Sequence, residues 1–200
     1  MSNLVKVDPT LAARVADGLN MEVPKASPTA APVKDMELSP ALRIIEGPLA
    51  PKSIGGRTIA IFIADGSDPA VVDELTSQIG DVGGRPVIVA HKIGGAKMSD
   101  GSAMEADFQL AGGPSVLFDA IAVVLSEVGC AQLLKEAAAV QFVMHAFGHL
   151  KAIGHTAEAR PLLDKAGVEA DEGITDFGKP FIKAAATRVW AREPSVRMLA

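Results

Sequence analysis

The sequence predicts an α/β fold: a three-layer α/β/α sandwich with a mostly parallel, doubly wound sheet, preceded by an isolated helix and an extended linker. Three observations carry this expectation. Past residue 57, apolar runs of strand length alternate with helical patterns. The run TIAIFIA at 58–64 is continuously apolar, as in a strand covered on both faces of a parallel sheet. The chain is 48% apolar but only 4% aromatic, so its core must be built from Ala, Val, Ile and Leu.

Residues 1–20 come first. Asp8 followed by Pro9 is a helix start, with the carboxylate as cap and proline at the first helical position. Leu11, Val15 and Leu19, flanked by Ala12 and Ala16, make an apolar stripe that needs a surface to dock on. Gly18 and Asn20 stop the helix. Residues 21–56 carry Pro24, Pro28, Pro32, Pro40, Pro48 and Pro51 and read as a linker. Its apolar stretch, 42–45, is expected to lie along a surface.

Residues 57–200 read as the domain. After the strand at 58–64, Asp68 caps a helix to about 78, with Val71, Val72, Leu75 and Ile79 on one face. RPVIVA at 85–90 is the second strand. Residues 92–110 form a hairpin excursion turning at Asp100-Gly101. FDAIAVVL at 118–125 is a further buried strand, and 130–147 a long helix. A short strand at 150–154 and a helix at 156–166 follow. A last helix spans 178–192.

Composition excludes several chemistries. There is no tyrosine, so no site depends on a phenolate. One cysteine allows neither an intramolecular disulfide nor a multi-cysteine metal site. The net charge of -5, with scattered Lys and Arg, opposes nucleic-acid binding. The N-terminus lacks the apolar core of a secretion signal, and no apolar run approaches the ~18 residues of a membrane span. A cytoplasmic protein with no membrane partner is expected.

Sites in such folds lie beyond the carboxyl ends of the strands. The turn Asp65-Gly66-Ser67-Asp68 could hold an anion on helix N–H groups, but it lacks phosphate-loop spacing and carries two carboxylates. A flavin or nucleotide site there would rest on fold alone. Cys130 precedes the long helix, where a dipole could acidify a thiol; Glu127 opposes this, and a small buried residue is the plainer reading. His155 occupies a strand–turn–helix elbow of the kind that displays a nucleophile, with no carboxylate adjacent in sequence. His145 and His149 are four apart, a metal-ligand spacing on a helix, or else two C-terminal histidines complementing the helix dipole.

The ADG turn at 64–66, Ser99-Asp100-Gly101, FDAI at 118–121, HLK at 149–151 and RVWAREP at 188–194 together resemble the C-terminal domain of large-subunit haem catalases of the hydroperoxidase II type. VDPTLAARVADGL at 7–19 resembles the end of the catalase helical domain, and 21–56 the wrapping linker. The resemblance implies a flavodoxin-like domain of the class I glutamine amidotransferase-like superfamily. In related enzymes an elbow Cys is assisted by a Glu; the matching positions here are His155 and the neighbourhood of Val71, so both catalytic identities are missing. It implies no catalytic, cofactor or metal residue in this chain, since haem and its ligands belong to the parent enzyme's core. It further implies partners in the catalase core and the sister subunits of a homotetramer, and roles in stability, assembly and channel shaping. A chaperone-like hold on unfolded clients is expected of the free domain. The competing expectation is a small-molecule hydrolase or glyoxalase-like enzyme using Cys130 or His155.

Overall fold

The computed structural model describes residues 1–28, 31, 34, 36–45 and 47–197. Pro32 of the linker lies outside them. The chain divides into two compact units, Met1–Arg43 and Ile44–Ala200.

In the first unit, α1 (Leu4–Val7) leads into α2 (Pro9–Gly18). Asp8 caps α2, its Oδ1 accepting from the Thr10 (2.8 Å) and Leu11 (3.0 Å) amides. Asn20 takes a left-handed φ of 50° just past the helix end. Of the expected stripe, Ala12 and Ala16 are buried, whereas Leu11 and Leu19 are 41% and 62% exposed. No helix or strand forms among the described residues 21–39. Leu42, Ile44 and Ile45 are exposed side chains.

The second unit holds β1 (Thr58–Ile63), α3 (Pro69–Asp81), β2 (Arg85–Ala90), β3 (Ala96–Lys97), β4 (Ala103–Met104), β5 (Phe108–Gln109) and β6 (Ala120–Val124). It continues with α4 (Glu127–Leu133), α5 (Ala137–Gly148), β7 (Ile153–His155), α6 (Arg160–Lys165), β8 (Ile174–Thr175), α7 (Lys179–Ala184) and α8 (Glu193–Val196). Six strands form one sheet in the order β5-β2-β1-β6-β7-β8, and every pairing is parallel. β3 and β4 are a separate antiparallel pair.

Alternation along β1 shows why its run is apolar throughout. Ala60 and Phe62 face a core shared with α4, α5 and α6 through Leu133, Phe142, Val143 and Leu162. Ile59, Ile61 and Ile63 face a second core with Val72, Leu75 and Ile79 of α3 and Phe181 of α7. Two cores on two faces of one parallel sheet make the three-layer sandwich.

Several boundaries differ from expectation. The helix at 130–147 is two helices, and the first begins at Glu127, with the Ser126 hydroxyl accepting from the Gly129 amide at 3.0 Å. The chain leaves the helical region at Glu136 (φ -104°, ψ 112°), whose carboxylate turns instead to His91. The excursion at 92–110 closes its hairpin by Met104, and Phe108–Gln109 join the main sheet beside β2. The strand at 150–154 starts only at Ile153, because Leu150 adopts a φ of 60°. The last helix stops at Ala184 rather than 192. There the Val189 amide bonds to Leu150 O at 2.8 Å, Arg188 bonds to Asp119 O, and Arg192 reaches Asp171, which together pull the chain off the helical path.

Candidate functional site

β1 feeds β2 on one side and β6 feeds β7 on the other, so the topological switch lies between the exits of β1 and β6. A ligand would enter there. The exits instead close on each other. Ser67 is fully buried, its hydroxyl 2.6 Å from Val124 O and 2.8 Å from Ala64 O, tying the first exit to β6. The Ser126 hydroxyl donates to Asp65 O at 3.0 Å. Gly66 has a φ of +84°, and a Cβ there would sit 2.7 Å from Ser126 Oγ. A Cβ on Gly129 would sit 2.9 Å from Asp65 O. Only glycine lets the two loops approach this closely.

The β3–β4 hairpin then laps over the closed exits. Gly66 donates its amide to Lys97 O at 2.7 Å, and Ser99 donates to Ser67 O at 2.9 Å. Asp65 accepts from Lys92 Nζ at 2.5 Å and from the Lys97 amide at 2.9 Å. The Lys92 bond, then the Lys97 amide, hold the Asp65 carboxyl below its ordinary range. The Ser67 amide is taken by Ala64 O at 3.1 Å. The N–H groups an anion would need at Gly66 and Ser67 are therefore spent on the protein itself, and Asp65 serves as a clasp.

His155 ends β7, opposite Val123, and its Nδ1 lies 2.9 Å from Thr156 O. In a nucleophile elbow, the amide after the nucleophile stabilises the oxyanion. Here the Thr156 amide donates to Val123 O at 3.0 Å, and the Thr156 hydroxyl brackets Leu125 N and O at 3.1 and 2.9 Å. The elbow is stitched to β6 with its oxyanion donor used. Val71, where the sequence resemblance looked for an assisting Glu, packs half-buried against the α3-side core.

Cys130 is 2% exposed and packs in the core with Leu133 and Leu162. Burial pushes its thiol up from the ordinary value, so the thiolate is disfavoured. Glu127 is exposed on the first turn of α4. His145 and His149 lie on the exposed side of the α5 terminus, ring centres 6.3 Å apart. Burial, then Lys151, lowers the His149 pKa. Among the described residues no group of three His, Cys, Asp or Glu is arranged to hold a metal.

Sequence reasoning missed one constellation at this sheet end. His91, just past β2, has Nδ1 2.9 Å from Glu136 Oε1 and Nε2 3.1 Å from Gln132 Nε2. With the Gln132 amide donating, Nδ1 carries the proton toward Glu136. Its backbone carbonyl accepts from Gln109 Nε2 at 3.0 Å. The arrangement orients an imidazole as a base would be oriented, but Gln132 covers the basic nitrogen. It joins β2, β5 and the α4–α5 break, three segments distant in sequence, and no spacing could have announced it.

A tyrosinate-ligated haem does not fit the residues present, because the sequence holds no tyrosine.

Comparison with known proteins follows the same line. Residues 55–185 match the family described as the C-terminal domain found in long catalases. Catalase C of Rhizobium meliloti is 36% identical over 208 residues, covering 99% of this chain and 29% of that protein. Catalase HPII of Pseudomonas putida is 32% identical over 196 residues, covering 95% and 27%. The chain thus spans less than a third of the length of these relatives. Among solved structures, oxidized Toxoplasma gondii DJ-1 superposes with a TM-score of 0.55 at 15% identity, over 72% of this chain and 96% of that one. A two-domain protein from Anabaena variabilis with DJ-1/ThiJ/PfpI-like and ferritin-like domains gives 0.53 at 15% identity, over 58% and 35%. These two likenesses concern the fold.

Proposed function

Since the chain belongs to the family of C-terminal domains found in long catalases, we propose that it is a non-catalytic accessory domain that associates with a catalase haem core in the cytoplasm and stabilises the assembled enzyme. In this reading residues 1–20 and 21–56 are the trailing helix and wrapping linker of that core, and 57–200 the appended domain. One observation carries the non-catalytic part: the switch between β1 and β6, where this fold would bind a ligand, is filled by Ser67, Ser126 and the β3–β4 hairpin. Decomposition of hydrogen peroxide belongs, in this proposal, to the haem core alone.

The test mixes the chain with a catalase core from a relative that has been truncated of its own C-terminal segment. Co-elution on a sizing column and a longer half-life of peroxide decomposition on heating are expected. Independent elution with an unchanged half-life sinks the proposal.

A holding activity toward unfolded clients is the second reading. It is favoured by apolar side chains that stand open on the domain, with Ile93 87% and Val128 74% exposed. Light scattering of a heated client at equimolar ratio decides it: unslowed aggregation ends the idea.

A further inference from the structure

The end of the sheet opposite the closed switch gathers positive charge. Arg57 stands immediately before β1, and Asp119 immediately before β6, the strand paired beside it. Arg188 reaches the same place from the segment after α7 and donates to Asp119 O. Lys151, on the way into β7, adds a buried ammonium that repels Arg188 and attracts Asp119. Three cations thus gather around the Asp119 carboxylate, on a chain whose net charge is -5.

The pairing is loose in a particular pattern. Asp119 Oδ2 is satisfied by the Thr58 amide at 3.0 Å. Oδ1 has Arg57 Nη1 at 3.5 Å and Arg188 Nη2 at 3.6 Å. Both exceed the roughly 2.7–2.9 Å of a charge-assisted hydrogen bond. The Arg57 guanidinium has no other partner among the described residues, and the Arg188 guanidinium has none besides Asp119 O. The three side chains are 21%, 28% and 34% exposed for Arg57, Arg188 and Asp119, so solvent reaches each. Burial lowers the Arg188 pKa, Asp119 raises it, and Arg57 lowers it again, as expected of two like charges set close together.

We propose that this cluster binds a phosphate group that carries a proton, either free phosphate or the monoanion of a phosphate monoester. Its anionic oxygens take the unspent donors of Arg57 and Arg188, whose planar forks suit phosphate. Its O–H donates to Asp119 Oδ1, the acceptor on which neither arginine closes. The carboxylate decides which anion fits. Sulfate has the same tetrahedral shape but no proton to give, so its oxygens would meet Oδ1 as like charges. An ionised carboxylate is turned away for the same reason. The proposal goes beyond the accessory-domain reading and survives or fails without a catalase core.

The test is isothermal titration calorimetry of the full chain with sodium phosphate, sodium sulfate and phenyl phosphate, at pH 6 and constant ionic strength. Saturable phosphate binding is expected, with sulfate about tenfold or more weaker, the worth of one charged hydrogen bond. Charge attraction alone predicts the reverse, because sulfate carries the larger charge at that pH. Arg57→Gln should weaken phosphate by about tenfold or more, whereas Lys135→Gln, an exposed charge elsewhere, should change nothing. Asp119→Asn, which can present an N–H where Oδ1 stood, should erase the preference and let sulfate bind at least as tightly as phosphate. Binding of phenyl phosphate as well would place a monoester in the site, and binding of phosphate alone would place the free ion there; either supports the proposal. Absence of saturable phosphate binding overturns it. So does sulfate binding as tightly as phosphate to the unaltered chain, a comparison that needs no variant to fold.

Discussion

Arg192 grips Asp171 with both ends of its guanidinium, Nε to Oδ2 at 2.6 Å and Nη2 to Oδ1 at 2.9 Å. The arginine is 4% exposed, and its remaining donor reaches Phe147 O at 3.0 Å and Lys151 O at 2.9 Å. The guanidinium also lies over the Phe147 ring, 4.1 Å from its centre. One side chain thereby fastens the C-terminal segment to α5, to the start of β7 and to the loop before β8. Arg192→Met should cost about 3–5 kcal/mol, because it strands a half-buried carboxylate and two carbonyls. Urea unfolding followed by circular dichroism measures it.

Asp171 links the same pair to acid stability. Burial pushes its carboxyl up, but the Arg192 bonds and the Gly173 amide outweigh this and hold it below its ordinary 3.8. The folded pKa is depressed, so the contribution is full above 3.8 and is lost as pH falls through the lower folded value. Asp171→Asn should flatten the acid limb of a stability-against-pH curve. An unchanged limb would show that the pair carries no acid linkage.

Lys151 acts at the other end of the scale. It is 2% exposed and donates to Ser115 O and to Phe118 O, the latter at 2.6 Å. Burial, with Arg188 adding repulsion, lowers its pKa from 10.5 to about 8. Between those values the unfolded chain holds a proton that the folded chain has released, so this group adds stability as pH rises from about 8 to 10.5. Lys151→Met should lose that rise. Urea midpoints of both proteins across the interval check it, and the difference between them isolates Lys151 from the Cys130 thiol.

Cys130 should be nearly inert in the folded state. Its reaction with a thiol-specific disulfide reagent is expected to be about a hundredfold or more slower natively than in urea. Cys130→Ala and His155→Ala should leave amidase, esterase and glyoxalase readings at background. Activity that either substitution abolishes would restore the hydrolase reading.

Gly66→Ala should destabilise by about 1–3 kcal/mol, from a left-handed φ forced on a Cβ and from its clash with Ser126 Oγ. Adding Ser126→Ala should relieve the clash but not the backbone strain. Full recovery in the double variant would show that the φ of +84° is not what requires glycine.

The fold was legible where burial dictates residue type. β1 from Ile59 onward and β6 lie between two cores, so every position there must be apolar, and the run shows in the sequence. β5 and β8 are two residues each, too short for any pattern to accumulate. The break at Glu136 was hidden because good helix formers flank it, Leu133, Leu134 and Lys135 before and Ala137, Ala138 and Ala139 after, and the partner that turns the chain is His91, 45 positions earlier. Of the site, the lack of tyrosine was legible, a fact of composition. The closing of the switch was not, since it depends on hydroxyls and glycines common in any loop.

The brevity of β5 and β8 has a consequence for how copies of this chain meet. A parallel sheet exposes unpaired amides and carbonyls along both outer strands, and long outer strands invite a neighbour to pair and propagate. Here each outer strand offers only two residues before the backbone turns away. A domain with aliphatic strands at its centre is thereby denied a template for fibril growth, whatever apolar side chains it leaves open elsewhere.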